Sequence, residues 1–501
     1  VARAQLWAVG YTMPPSGPPF IAGLAGSGAT GYFTDQHGTP KLLVLEMAWG
    51  LPCNAGRWNG SGGGTYRQDM DNYFAARASQ GFTAWWGVPW INVQIDPGAV
   101  HGDGRTWDGT YPLSLNGTPG TIATGSETVT LNDPFWQRID YLISSALKNG
   151  IAVFLNMGMQ YDFSGSGTRI FTNLSSTQAH AIGAAIATRY PQATYPNLHW
   201  AFGDDCDQFT AGVNVTAEVA FTQILAGMAS AGDARPVIAL EQTGETDSHI
   251  RFDTGAVFIA SGFGITSATV NFCYSYQPSY LGVEGSYKTS VTPLLPVLYG
   301  DGVWYGDTDN ATVESTIRKH TWWALASGAR GVDSTSGPSS QATGLLWTWQ
   351  ATATARLTSD PNGTWCTNTM GTVAAYLMSL PGWHQLVPDT GNLLVTAGRG
   401  SRASNIAPGF GSTNYGDSDT YVAASRTPDG GSGSSLAVIY CGAHFSITID
   451  QTKMVSSYTA TWVDPASCAT SSATPGSTYN STGKGNNSAG DPDWALVLKG
   501  P

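Results

Sequence analysis

Between about residues 40 and 385 the chain alternates apolar runs of strand length with amphipathic helical stretches, and this alternation limits the fold more than any other feature. Strands that are each followed by a helix pair in parallel, because returning to the same end of a sheet takes a crossover of a dozen residues or more. The strand candidates are 41–49, 82–90, 151–159, 198–203, 236–241, 270–276, 294–299 and a last one at either 331–333 or 345–349. Between them, 66–80, 135–148, 177–190, 216–231, 313–327 and 370–380 carry apolar residues at helical spacing. Asn149-Gly150 and Ala231-Gly232 supply stops at two helix ends. Eight such strands imply closure into a (β/α)8 TIM barrel. After Pro388 the period changes to two, in 393–397, 421–425, 436–440, 445–449, 459–463 and 494–498, which predicts a small antiparallel β-sandwich. The expected organisation is a barrel domain over 1–388 and a β-domain over 389–501, each with its own core.

The connections that follow the predicted strands are long: 50–64, 92–134, 160–175, 243–268 and 334–368 are rich in Gly, Ser and Thr. In a barrel these loops share the C-terminal face, and loops of this length in a compact domain usually carry function. Composition narrows the ligand. A net charge of −12 is the wrong sign for nucleic acid, whose phosphates need a basic surface. Only 12% of residues are charged, against 18 Trp, 21 Tyr and 17 Phe, a balance suited to a neutral polysaccharide and to an extracellular or virion setting. No apolar stretch of about 20 residues is present to insert in a membrane. The 6 cysteines form no CxxC pair, and His101 and Asp103 lack a spaced partner, so neither a metal nor a cofactor is expected. Cys441 and Cys468 are candidates for a disulfide.

Two predicted strands end in acids. Asn197-Leu-His-Trp-Ala-Phe-Gly-Asp-Asp205 closes on Asp204 and Asp205, and Pro293-Leu-Leu-Pro-Val-Leu-Tyr-Gly-Asp301 closes on Asp301. Two carboxyl groups across a sugar are the minimum equipment of a glycosidase, one to protonate the leaving oxygen and one to attack or to activate water. A turn or helix cap is the competing account of any one such Asp. Glu46 and Glu241 end the first and fifth strands, Asn156 the third, and Tyr274 and Tyr276 the sixth. Each is a candidate for sugar hydroxyls or, equally, for structural bonding. Trp49, Trp86, Trp90 and Trp304 fall at or beyond strand ends, where a flat ring stacks on a sugar or closes the barrel top.

Tyr32-Phe-Thr-Asp-Gln-His-Gly-Thr-Pro-Lys-Leu-Leu-Val-Leu-Glu-Met-Ala-Trp49, with Gly81-Phe-Thr-Ala after the next helix, resembles the opening of the apiosidase-like barrel family of glycoside hydrolases. That family carries Asp where this chain has Glu46. Trp200-Ala-Phe-Gly-Asp-Asp205 is similar to its Trp-to-Gly-Gly-Asp motif. The resemblance puts Asp205 on the acid/base position and Asp204 on a glycine. Pro296-Val-Leu-Tyr-Gly-Asp301 resembles the strand bearing the family's Glu nucleophile, which implies that role for Asp301. Aspartate is one methylene shorter, so its carboxylate sits about 1.5 Å further back. The helix Ile317 onward, ending Ala-Ser-Gly-Ala-Arg-Gly331, is similar to the family helix that leads into the last strand.

Thr461-Trp-Val-Asp-Pro465 and Asp493-Trp-Ala-Leu-Val497 resemble the β-domain that commonly ends these proteins and is named for a collagen-binding role. The resemblance implies a glycoside hydrolase acting on a cell-wall or matrix polysaccharide. The alternative is a carbohydrate-binding or adhesion protein, such as a bacteriophage minor tail protein that keeps the barrel with reduced or no catalysis and has other virion tail proteins as partners.

Overall fold

The computed structural model describes residues 17–56, 65–90, 92–93, 100–101, 103–158, 170–171, 173–203, 214–242, 268–274, 278–287, 294–300, 314–333, 370–401 and 419–501. Eight strands form a closed parallel barrel: β1 (Leu43–Glu46), β2 (Ala84–Gly87), β3 (Ala152–Asn156), β4 (Leu198–Phe202), β5 (Ile238–Gln242), β6 (Val270–Tyr274), β7 (Val297–Gly300) and β8 (Gly331–Asp333). After a single helical turn at Leu51–Asn54, the longer helices are α1 (Tyr66–Ser79), α2 (Asp133–Lys148), α3 (Ser176–Arg189), α4 (Asn214–Ser230), α5 (Ser279–Ser286), α6 (Glu314–Ala326) and α7 (Met370–Met378). Local chemistry sets their starts. Thr65 accepts from the Gln68 N–H at the head of α1, and Ser175 with Gln178 forms a reciprocal capping box on α3. Helix α5 has no counterpart among the sequence-predicted helices.

Strand register fixes which side chains enter the lumen. Leu45, Ala84 and Ala152 are in register, as are Trp86, Phe154 and His199 one step along. The same parity carries Ala239, Glu241, Phe272, Leu298, Gly300, Gly331 and Asp333 to the inside. Trp86 and Phe272, from opposite strands, meet at 4.8 Å, and Trp86 stacks on Phe154 at 5.8 Å, so the lumen is filled rather than open. An antiparallel sheet of Ile21–Ala25, Tyr32–Asp35 and Pro40–Lys41 closes the N-terminal end. Its Phe33 packs edge-on to Phe154, and a ring nitrogen of His199 bonds the Ile21 carbonyl at 2.9 Å.

The C-terminal part is built from β9 (Val387–Pro388), β10 (Val395–Ala397), β11 (Val422–Arg426), β12 (Leu436–Cys441), β13 (Ser446–Ile449), β14 (Thr459–Val463), β15 (Thr470–Ala473), β16 (Thr478–Asn480) and β17 (Trp494–Lys499). A six-stranded antiparallel sheet of order β9-β11-β12-β17-β14-β15 lies against a three-stranded sheet of order β10-β13-β16. Alternation along the strands divides the six-stranded sheet cleanly. Val422, Ile439, Trp462 and Leu496 face Ile447, Ile449 and Tyr479 of the smaller sheet. Tyr421, Val438, Tyr440 and Val497 share a core with Trp322 and Trp323 of α6 and with Val373 of α7. Both faces are therefore buried, one within the β-domain and one against the barrel.

Polar groups lock that second face. The indole N–H groups of Trp322 and Trp323 donate to the Pro465 and Tyr421 carbonyls at 3.0 and 3.1 Å. Cys441 and Cys468 are free thiols. The expected Cys441–Cys468 disulfide is thus corrected. Cys441 ends β12 and Cys468 lies in the turn after β14, with β17 between those strands, and two strand spacings of about 4.8 Å exceed the span a disulfide bridges. Among the described residues no helix is long and apolar enough to cross a membrane.

Candidate active site

The C-terminal rim of the lumen is assembled from β3, β4, β5, β7 and β8. Gly203, immediately after β4, has φ +100°, and a Cβ there would fall 2.5 Å from the Glu241 carbonyl oxygen. Only glycine allows both that backbone and that approach. Asn156, fully buried at the end of β3, donates its amide to the Gly203 carbonyl at 3.1 Å and accepts from the Gly158 N–H at 3.1 Å. The chain is pinned at the residue before Asp204 and Asp205. Across the lumen, Gly300 ends β7 directly before Asp301, where a Cβ would meet the Asp333 Cβ and the Phe272 ring at 2.6 Å each. A bare backbone at this point lets β7, β8 and the lumen aromatics close together.

Among the described residues, two carboxylate residues line this rim from inside. Glu241 is fully buried on the lumen face of β5, beside Gly203. Asp333, partly exposed, is on the lumen face of β8 beside Gly300. Asp333 was not singled out as a site residue by the sequence. Its strand is three residues long and competed with 345–349, which lies outside the described residues. Trp86 forms the floor below them, fully buried, with its indole Nε1 lacking any hydrogen-bond partner.

Glu46 is placed elsewhere. Its neighbours in register face the helices, and its carboxylate is 2% exposed, taken up by Arg77 through Nε and, at 2.9 Å, Nη2, and by the Tyr73 hydroxyl at 2.7 Å. Burial works against the Arg77 charge, yet Glu46 and its hydrogen bonds hold the guanidinium pKa above its usual value. Burial, with Glu46 next, pushes the Tyr73 phenol well up, and Asp333 adds in the same direction. This group ties α1 to the top of β1 and leaves Glu46 facing away from the lumen. Trp90 also has a packing role: fully buried, it lies edge-on to Trp136 at 6.1 Å and to Phe171 at 5.1 Å. Trp49 is 3% exposed and belongs to the same apolar core.

The structure thus brings Asn156, Glu241 and Trp86 to the lumen or its rim and keeps Glu46 and Trp90 off it. Tyr274 is the last residue of β6, its side chain not described, and Asp204, Asp205, Tyr276, Asp301 and Trp304 lie outside the described residues. Among the described residues no group of three His, Cys, Asp or Glu could hold a metal ion.

The sequence profile described as the apiosidase-like catalytic domain matches residues 27–366. Among solved structures, one described as a glycoside hydrolase aligns over 97% of both chains at 15% identity with a TM-score of 0.66. A glycoside hydrolase family 5 structure from Bacteroides vulgatus aligns over 96% of this chain and 95% of its own, at 15% identity and a TM-score of 0.65. A second structure from that organism, described as a putative glycoside hydrolase, covers 97% of this chain and 82% of its own at 12% identity and a TM-score of 0.57. At such identities the likeness is one of fold, and it extends through the β-domain. Among curated proteins there is no match.

Proposed function

Because this chain belongs to the apiosidase-like catalytic-domain family and has a glycoside-hydrolase-like barrel, we propose that it hydrolyses O-glycosidic bonds in a cell-wall or matrix polysaccharide. Asp205 is the acid/base and Asp301 the partner carboxylate. The observation that carries the reading is that β4 and β7 belong to one closed barrel, with Gly203 just after β4 and Gly300 at the end of β7 on the lumen rim, and that the sequence continues from these glycines into Asp204-Asp205 and Asp301. In the forward step the Asp205 carboxylic acid gives its proton to the glycosidic oxygen as the bond to the anomeric carbon breaks. Asp301 either attacks that carbon, with a carboxyl separation of about 5–5.5 Å, or activates water across about 6.5–9.5 Å. Glu241 and Asn156 support the Asp205 side of the rim. Asp333 sits beside Gly300, the residue before Asp301.

A second reading has specific support: the shorter Asp301 and the charged Asp204, each at a position where the family resemblance implies another residue, suit a carbohydrate-binding or adhesion protein, of a phage tail for example, with reduced catalysis. Either protein would work outside the cell or on a virion. A collagen contact by the β-domain would have to use its smaller sheet or its loops, since both faces of the larger sheet are covered. The test is Asp205→Asn. Under the hydrolase reading turnover falls by about 10² to 10⁴ while sugar binding stays. Unchanged turnover removes Asp205 from the reaction.

A further inference from the structure

Trp107 stands in the loop that follows β2, on the face of the barrel that carries the candidate site. It is 42% exposed, whereas every other described tryptophan is buried. Two tethers hold it. Its backbone N–H donates to the Cys53 carbonyl at 3.1 Å, and its indole N–H donates to the Ala55 carbonyl at 3.1 Å. The surrounding turn is closed by Thr106 N–H to the Thr110 carbonyl at 2.9 Å and by Gly109 N–H to the Thr106 carbonyl at 2.9 Å. Beneath it, the buried Arg138 of α2 donates to the same Ala55 carbonyl at 2.6 Å and to Asp108 at 3.3 Å. With its only polar atom already bonded inward, the ring is a fixed apolar plate turned to solvent.

We propose that Trp107 is a stacking subsite for one pyranose ring of a polysaccharide chain, remote from the bond being cleaved; this rests on the hydrolase reading for the identity of the ligand. The chemistry around the ring suits a sugar. An indole face accepts the C–H face of a pyranose, and two polar side chains close to it in sequence, Asp108 and Arg105, are 45% and 37% exposed. A protein partner fits poorly. Among the described residues the other exposed large apolar side chains are Val219 and Leu393, on α4 and before β10, so none of them extends an apolar patch from Trp107 toward the several hundred Å² that a protein interface needs. Two hydrogen bonds to the indole and main chain also cut the ordering cost of binding, as preorganised contacts do.

The test is affinity electrophoresis of the whole protein, Trp107→Ala and Trp107→Phe through native gels containing arabinoxylan, galactomannan, xyloglucan, rhamnogalacturonan or peptidoglycan fragments, with reducing-end release measured on the same glycans. Near-ultraviolet circular dichroism confirms that the variants are folded. The subsite predicts that a gel retarding the unsubstituted protein binds Trp107→Ala about tenfold more weakly, with Trp107→Phe between the two. Equal retardation of all three proteins overturns the subsite and leaves the hydrolase reading standing. No retardation in any gel also overturns it, and reducing-end release then decides the hydrolase reading separately.

Discussion

Arg318 of α6 and Asp493 just before β17 form a bidentate ion pair, 3.0 Å on each side, with both side chains fully buried between barrel and β-domain. The Tyr440 hydroxyl at 2.9 Å and the Asn487 amide at 2.6 Å complete the Asp493 carboxylate. Burial alone would lower the Arg318 pKa, but the hydrogen bonds and charge of Asp493 raise it, so the guanidinium keeps its charge. Removing one partner leaves a buried charge, which costs about 3–5 kcal/mol. Asp493→Asn should therefore lower the urea midpoint sharply, and adding Arg318→Met should recover part of the loss. Strictly additive losses would show that the two residues are not coupled.

The β-domain predicts a second outcome. Its own core lies between two sheets, yet one face of the larger sheet is apolar and covered by Trp322 and Trp323. A fragment should start before β9, because Val387 and Pro388 pair with Arg426 and Ser425. Residues 386–501 are expected to fold, with native β-sheet circular dichroism, and to self-associate through the exposed face. Size-exclusion chromatography checks this; a monodisperse monomer would mean that the face is not sticky without the barrel.

Most of the fold was legible because parallel strands and helices differ in period and length. The predicted runs at 82–90, 151–159 and 198–203 enclose β2, β3 and β4, and six of the seven longer helices described were read within a few residues. Helix α5 was missed because Gly282 and Gly285 depress helix propensity, and tertiary packing overrides them. Side-chain direction was harder. Barrel strands are apolar on both faces, so Leu43-Val-Leu-Glu46 offers no alternation from which to tell lumen from helix side. Glu46 falls on the helix side by one residue of parity, and only its partners Tyr73 and Arg77, about 30 positions away, reveal it. Trp107 looked like an ordinary loop residue, since the tethers from Cys53 and Ala55 are long-range.

Glu46→Gln tests that placement. It strands the buried Arg77 charge, so stability should fall by about 3–5 kcal/mol. Because the side chain faces α1, KM for the polysaccharide should be unchanged at temperatures where the variant is folded. A raised KM without loss of thermal stability would return Glu46 to the sugar site.

His199 makes stability depend on pH. Burial pushes its pKa down to about 4; Nε2 bonds the Ile21 carbonyl, and Nδ1 has no partner among the described residues to receive a new proton. The unfolded value is about 6.5. A folded pKa below the unfolded one gives a contribution that is fully present above about 6.5 and is lost as pH falls through about 4, on the order of 3 kcal/mol at most. The melting temperature should drop more steeply between pH 7 and 4.5 in the natural protein than in His199→Gln. Parallel profiles would show that His199 is not the group that titrates.

Hydrolysis as proposed needs two carboxyl groups, Asp205 and Asp301, which follow β4 and β7 in the sequence, to act on one glycosidic bond. Reducing-end release from a panel of plant and bacterial wall polysaccharides, measured for the natural protein and for Asp301→Ala with glycan binding followed in parallel, addresses that most directly. Release by the natural protein, and loss of it in Asp301→Ala with binding retained, is the predicted result. No release by the natural protein from any glycan that it binds would contradict hydrolysis and make adhesion the better description.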